Sequence, residues 1–217
     1  MFSNKFLPRK ARSLLKETLF SLSLFFFLFV TLRADSRRTD SESSEPTWRA
    51  HTTDTGTRYL DYVATVPILG HQIPIGLSFR CDLTETKDIH GTVGFDLYIR
   101  NTKPLKAFHF EDFEGPDAVT FDRKLMKVTV LRTQKPSVDF EFSPSGGVPS
   151  DGYFFFGISD VSTAKSKEKE LLKNLASGAD KARITITDSR DSAVKIELEV
   201  PLSGRESDFK ALLKGLK

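Results

Sequence analysis

The sequence predicts a mainly β protein. The expected form is an antiparallel β-sandwich with two short helices near the C-terminus, preceded by an N-terminal signal or anchor helix. Three observations lead there. Val93, Phe95, Leu97 and Ile99 alternate with Gly94, Asp96 and Tyr98, the period-two pattern of a half-buried strand. The same alternation recurs in 182–187 and 194–200, on either side of a polar turn. Past the N-terminal segment, helical spacing of apolar residues occurs only late in the chain. There is thus no strand–helix alternation of the doubly wound kind.

The chain has 217 residues, and its first part is unlike the rest. Lys5, Arg9, Lys10, Arg12 and Lys16 precede an uncharged apolar run over residues 18–32. A basic flank followed by an apolar run is the layout of an export signal, with the basic side left in the cytoplasm. As a helix the run spans about 22 Å against a hydrocarbon core of about 30 Å. That length suits a signal core, and the long basic lead-in suits a retained anchor; both remain open. Residues 1–34 hold six of the 32 Lys and Arg and one of the 29 acids, leaving 26 basic against 28 acidic residues. The domain is therefore close to neutral, and its charge gives no support to a nucleic-acid partner. Residues 35–50 are polar, too poor in apolar surface to order themselves, and read as a flexible linker. The domain is expected over 51–217, with ordered chain starting near Thr47.

Strands are expected at Tyr59–Val66 and Ile73–Cys81, split by Pro67, Gly70 and His71, and then at His90–Arg100. After a turn at 101–104, Leu105–Phe110 reads as extended and Ala118–Phe121 as a short strand. Lys124–Arg132 and Val138–Phe142 alternate, and Ser143–Gly152 reads as a loop. The continuous apolar run Tyr153–Ile158 predicts a strand covered on both faces. Thr163–Ala176 predicts a surface helix capped by Ser162 or Thr163 and stopped by Gly178. Ala182–Thr187 and Val194–Val200 form a hairpin around 188–192. A last helix starts near Ser203, with Glu206 completing a capping box. Its stripe of Phe209, Leu212, Leu213 and Leu216 should bury both Leu212 and Leu213, leaving Lys210 and Lys214 in water.

The densest polar cluster is the acidic loop Glu111, Asp112, Glu114 and Asp117 around Gly115-Pro116. Hard cations favour such oxygen ligands, but the spacing departs from the twelve-residue calcium loop. The loop reads as an acidic turn anchored by Phe110 and Phe113, and as the candidate binding site. Cys81 is the only cysteine, so it is either core packing or a link between chains. The four His residues show no metal spacing, and no Gly-x-Ser-x-Gly elbow, phosphate loop or His-Glu-x-x-His occurs. No cofactor or metal is expected.

Leu77-Ser78-Phe79-Arg80-Cys81, Asp96-Leu97-Tyr98-Ile99 and Asp117-Ala118-Val119-Thr120-Phe121 carry a resemblance. With the late hairpin, Pro201-Leu202-Ser203-Gly204 and a terminal helix, residues 60–217 resemble the TagO-like periplasmic accessory proteins of type VI secretion. The resemblance implies a small exported β-rich envelope factor without catalysis. The family's further paired cysteines are missing here, and no functional residue is carried over.

Export segment, linker and β-pattern together imply a non-enzymatic binding or accessory module of the bacterial cell envelope. It is expected in the periplasm or on the extracytoplasmic face of the inner membrane, touching the membrane through 18–32 if that segment is uncleaved. The expected partner is an envelope protein or a cell-wall component. The alternative is an envelope hydrolase using the carboxylates of 111–117.

Overall fold

The computed structural model describes residues 45–216 apart from 87–88, 116–117, 121, 149–152 and 162–165. The apolar run 18–32, most of the linker, Asp117 and the Ser162/Thr163 cap lie outside the described residues. Among the described residues, no helix is long and apolar enough to cross a membrane.

The fold is mainly β, with two antiparallel sheets and two helices near the C-terminus. The strands are β1 (Thr47–Thr52), β2 (Arg58–Ile68), β3 (His71–Thr86), β4 (Ile89–Arg100), β5 (Met126–Arg132), β6 (Lys135–Phe142), β7 (Ser145–Gly147), β8 (Tyr153–Val161), β9 (Lys181–Thr187) and β10 (Lys195–Pro201). Among the described residues the α-helices are α1 (Lys167–Leu175) and α2 (Glu206–Leu213). One sheet runs β1-β2-β3-β4-β8-β7, the other β10-β9-β5-β6. Inward residues of both sheets join one hydrophobic core, from Leu60, Phe79 and Phe95 to Val128, Ile184 and Leu198.

The strongest alternations become strands with the expected faces. Val93, Phe95, Leu97 and Ile99 are all buried. In the late hairpin, Ile184 pairs with Leu198 and Ile186 with Ile196. Cys81 is fully buried in β3, and burial pushes its thiol pKa up.

Elsewhere the structure corrects the expectation. Residues 47–50 fall inside the expected 35–50 linker, but the chain is ordered from near Thr47 as also expected: they belong to β1 and pair with β2 from Thr47↔Val63 to Ala50↔Leu60. Trp48 supplies the apolar anchor, 4.9 Å from Tyr62. Leu105–Phe110 is not extended: turns lead into a 3-10 helix at Phe110–Phe113. Phe108 and Phe113 must bury on the same side there, 5.5 Å apart, which an extended chain would prevent. The short strand expected at 118–121 is absent from 118–120, because Thr120 turns back to donate from N (3.3 Å) and Oγ1 (3.1 Å) to the Asp112 carbonyl. The loop expected at 143–152 contains β7.

The Tyr153–Ile158 run is covered on one face only: Phe154, Phe156 and Ile158 are buried, whereas Tyr153 is exposed and Phe155 half-buried. α1 is capped by Ser166, whose Oγ accepts from Lys169 N at 3.2 Å. α2 lacks the expected capping box, since Arg205 occupies the cap position and makes no side-chain cap bond. Its other end is held by Arg58, whose Nη1 donates to the carbonyls of Ala211 (3.1 Å), Leu212 and Lys214. A guanidinium there meets the negative end of the helix dipole. Leu212 is buried as expected, but Leu213 is only half-buried because it faces the open groove between the helices.

The β2–β3 turn contains a correctable strain. Leu69 and Gly70 have φ of 47° and 82° between the paired Ile68 and His71, so both central residues are left-handed. Hairpins of this kind favour Asn-Gly. A left-handed residue with a Cβ costs roughly 1–2 kcal/mol, and Asn tolerates the conformation better than Leu. Leu69 is 40% exposed and outside the core, so little packing is lost. Leu69→Asn is expected to raise stability by about 1 kcal/mol. Chemical denaturation checks this, and an unchanged midpoint would mean the turn relaxes freely.

Candidate functional site

The candidate residues and the sheet register define two surfaces: the acidic loop and the outer face of the six-stranded sheet.

The acidic loop is shaped by its aromatics. Phe110 packs on Phe154 at 4.9 Å and Phe113 on Phe156 at 5.2 Å, which pins the 3-10 helix to β8. Asp112 then points inward and is 6% exposed. Arg190, from the β9–β10 turn, grips it with a fork: Nη2 to Oδ1 at 2.6 Å and Nε to Oδ2 at 2.8 Å. Ser189 Oγ donates to the same carboxylate. Hydrogen bonds from Arg190, and then from Ser189, hold the Asp112 pKa down at about 2. Beside it Asp188 is buried and accepts from the backbone N–H of His109 (2.7 Å), Arg190 (2.9 Å) and Asp191 (2.9 Å). His109 Nδ1 lies 3.1 Å from it. Burial pushes the Asp188 carboxyl up, but these donors outweigh it and leave its pKa below the ordinary value.

The structure thus brings Glu111 and Asp112 together around Arg190, with Glu111 at 3.1 Å on the solvent side. Glu114 is exposed, and its position bridges Gly146. Asp117 lies outside the described residues. A general acid needs a raised pKa, and Asp112 has the opposite. Among the described residues, no three His, Cys, Asp or Glu side chains are grouped to hold a metal ion. The arrangement is a latch joining the acidic loop to the β9–β10 turn. Sequence reasoning missed Asp188, Ser189 and Arg190 as partners of this loop and treated them only as a turn. Their signal was the compact Asp-Ser-Arg-Asp motif, but nothing local says which carboxylate an arginine 78 residues away will meet.

The second surface follows from strand register. On β4, Asp96 and Tyr98 face away from the core, and pairing carries that face across all six strands. One row reads Thr47, Val63, Gly76, Tyr98, Phe155 and Gly147. The next reads Arg49, Asp61, Ser78, Asp96, Gly157 and Ser145. Tyr98 and Phe155 are half-buried neighbours with ring centroids 6.2 Å apart. Ser78 Oγ donates to Asp61 Oδ1 at 2.6 Å, and His51 Nδ1 lies 3.3 Å from the other oxygen. His51 also stacks on Tyr59 at 4.9 Å. At the far end Arg100 lies over the Tyr153 ring at 5.8 Å. None of these face residues stands out as a site in the sequence, because each alternation shows only one strand at a time.

In comparison with known proteins, the chain matches no protein-family model, no curated protein and no solved structure.

Proposed function

We propose that this chain is an exported, non-enzymatic binding or accessory module of the bacterial cell envelope, built as an antiparallel β-sandwich. The sandwich reading rests on two antiparallel sheets that turn their apolar faces into one core. The binding reading rests on one observation: the outer face of the six-stranded sheet lines up aromatic and polar side chains in register across its strands. Such a face is suited to holding a ligand without any enclosed catalytic cleft. The hydrolase alternative, with Glu111, Asp112, Glu114 and Asp117 as acid and base, is weakened by the latch that holds Asp112 ionised. Location in the periplasm or on the outer side of the inner membrane rests on the basic flank and apolar run of residues 5–32. An envelope protein or a cell-wall component is the partner this reading requires.

The test is topological. The full-length chain is fused at its C-terminus to a phosphatase that is active only after export. Activity is expected, and it should vanish when residues 18–32 are deleted. A reporter active only in the cytoplasm would overturn the reading.

A further inference from the structure

We propose that the outer face of the six-stranded sheet binds an uncharged glycan chain, whose sugar rings lie on Tyr98 and Phe155. This rests on the binding-module reading and names its ligand.

Glycines shape the platform. A Cβ added at Gly147 would stand 3.0 Å from Phe155 Cε1, and one at Gly157 would stand 3.4 Å from Phe155 Cε2. The two edges of the Phe155 ring thus lie over two glycines, one across the sheet and one along the strand. The ring is laid down on the sheet. Gly76 stands likewise beside Tyr98, where an added Cβ would come within 3.7 Å of Tyr98 Cβ. With glycine on both flanks of the aromatic pair, no neighbouring side chain in their row stands up between β3 and β7 to break the platform. An apolar ring of this kind accepts the C–H face of a sugar ring, as it accepts other flat or polarised partners.

The polar row completes the match. It lies two residues along each strand from the aromatic row, about 7 Å away. Asp61, Ser78 and Asp96 sit there in adjacent strands; the Ser78 hydroxyl donates to Asp61, and the oxygens of all three keep lone pairs that can accept from sugar hydroxyl groups. At Gly157 an added Cβ would come within 2.9 Å of Asp96 Oδ1, so this carboxylate also leans over a glycine, beside Phe155.

Charge selects the class of ligand. Among the described side chains of this face, Arg49, Arg80 and Arg100 balance Asp61, Asp82 and Asp96. A polyanion such as nucleic acid gains affinity from a net positive field, and here the signs cancel. The cores of protein interfaces are depleted of charge, whereas here a row of ionised groups borders the aromatic pair directly. A neutral chain that is apolar on its ring faces and rich in hydroxyls at its edges fits both rows together.

The experiment uses the full-length chain in detergent, titrated with chitohexaose and cellohexaose, and sedimented with purified peptidoglycan sacculi. DNA serves as the polyanion control. Binding to chitohexaose or cellohexaose is expected, with little change on raising salt, and no binding to DNA; binding to sacculi alone would point to their charged peptide stems and overturn the proposal. The three sugar arms distinguish an N-acetylated chain, a plain glucan and the intact wall. Tyr98→Ala and Phe155→Leu should each weaken binding about tenfold. Asp61→Asn, which leaves the packing alone, should weaken it too, and Glu197→Gln on the other sheet should not. Thermal melts of each variant exclude unfolding as the cause. If the chain is exported but binds none of the sugars, the glycan proposal falls and the binding-module reading stands. If Phe155→Leu instead turns a dimer into a monomer, the face is a contact between two copies and the proposal is likewise overturned.

Discussion

Phe209→Ala is expected to destabilise the domain by about 3–5 kcal/mol. Phe209 is fully buried on α2, with its ring edge-on to Phe79 at 5.1 Å and to Trp48 at 6.1 Å. Those two contacts tie the helix to β3 and β1 at once. Truncation removes transfer energy, leaves a cavity, and breaks aromatic pairs worth about 0.5–1.5 kcal/mol each. An eight-residue helix is marginal alone and depends on docking. Loosening it also strains the bonds from Arg58 to its last carbonyls. The check is urea denaturation followed by the fluorescence of Trp48, the only tryptophan. On the same helix, Leu212→Ala should cost about 2–5 kcal/mol and the half-buried Leu213→Ala clearly less. Lys210→Ala should stay within about 0.5 kcal/mol, since its pair with Glu206 is exposed. A silent Phe209→Ala would mean that α2 is not docked on the sheet.

Arg190→Ala should clearly destabilise the domain near neutral pH, because it leaves the buried Asp112 carboxylate without its charged partner. The Arg190 side chain is 52% exposed, and water screening keeps the effect below that of a fully buried pair. The variant should also differ in its acid response. Asp112 has a folded pKa of about 2, below its ordinary unfolded value of about 4. Its contribution is therefore fully present above about pH 4 and is lost as pH falls through 2. Removing Arg190 takes away the largest cause of the depression, so the folded carboxyl returns towards its ordinary value. The stability difference between wild type and variant should then shrink steadily from about pH 4 to about pH 2. The Asp188 pKa is also held below its ordinary value, but its main-chain donors persist in both proteins, so Asp188 contributes little to the difference. Urea midpoints at a series of pH values provide the measurement. A difference independent of pH would show that Arg190 acts through packing alone. Arg190→Lys should recover only part of the loss, since an ammonium restores the charge but not the fork.

Legibility followed how local each signal was. The 93–99 alternation assigned its inward residues correctly, because a strand's two faces are set by the pleat itself. The 182–200 hairpin was legible for the same reason, with its turn close at hand. The run Tyr153–Ile158 misled, because an unbroken apolar stretch cannot say which face the rest of the chain will cover. Half of that run became the outer platform of Phe155. The acidic loop and its anchoring by Phe110 and Phe113 were legible, but nothing local showed that Asp112 is enclosed by Ser189 and Arg190.

By itself, the sequence determined the β class, most strand positions, the inward residues of the clearest strands and the apolar stripe of the last helix. These follow from side-chain period and hydrophobicity within a few neighbouring residues. Only the tertiary structure decided that residues 47–50 join the sheet, that Arg190 closes on Asp112, and that Tyr98 and Phe155 come side by side between glycines. Each of these depends on a partner outside the local stretch: Thr47 meets Val63 on the next strand, and Arg190 reaches Asp112 across 78 residues of chain. Cross-strand register is chosen by the whole set of backbone pairings and the burial they achieve together, and no single segment contains that information.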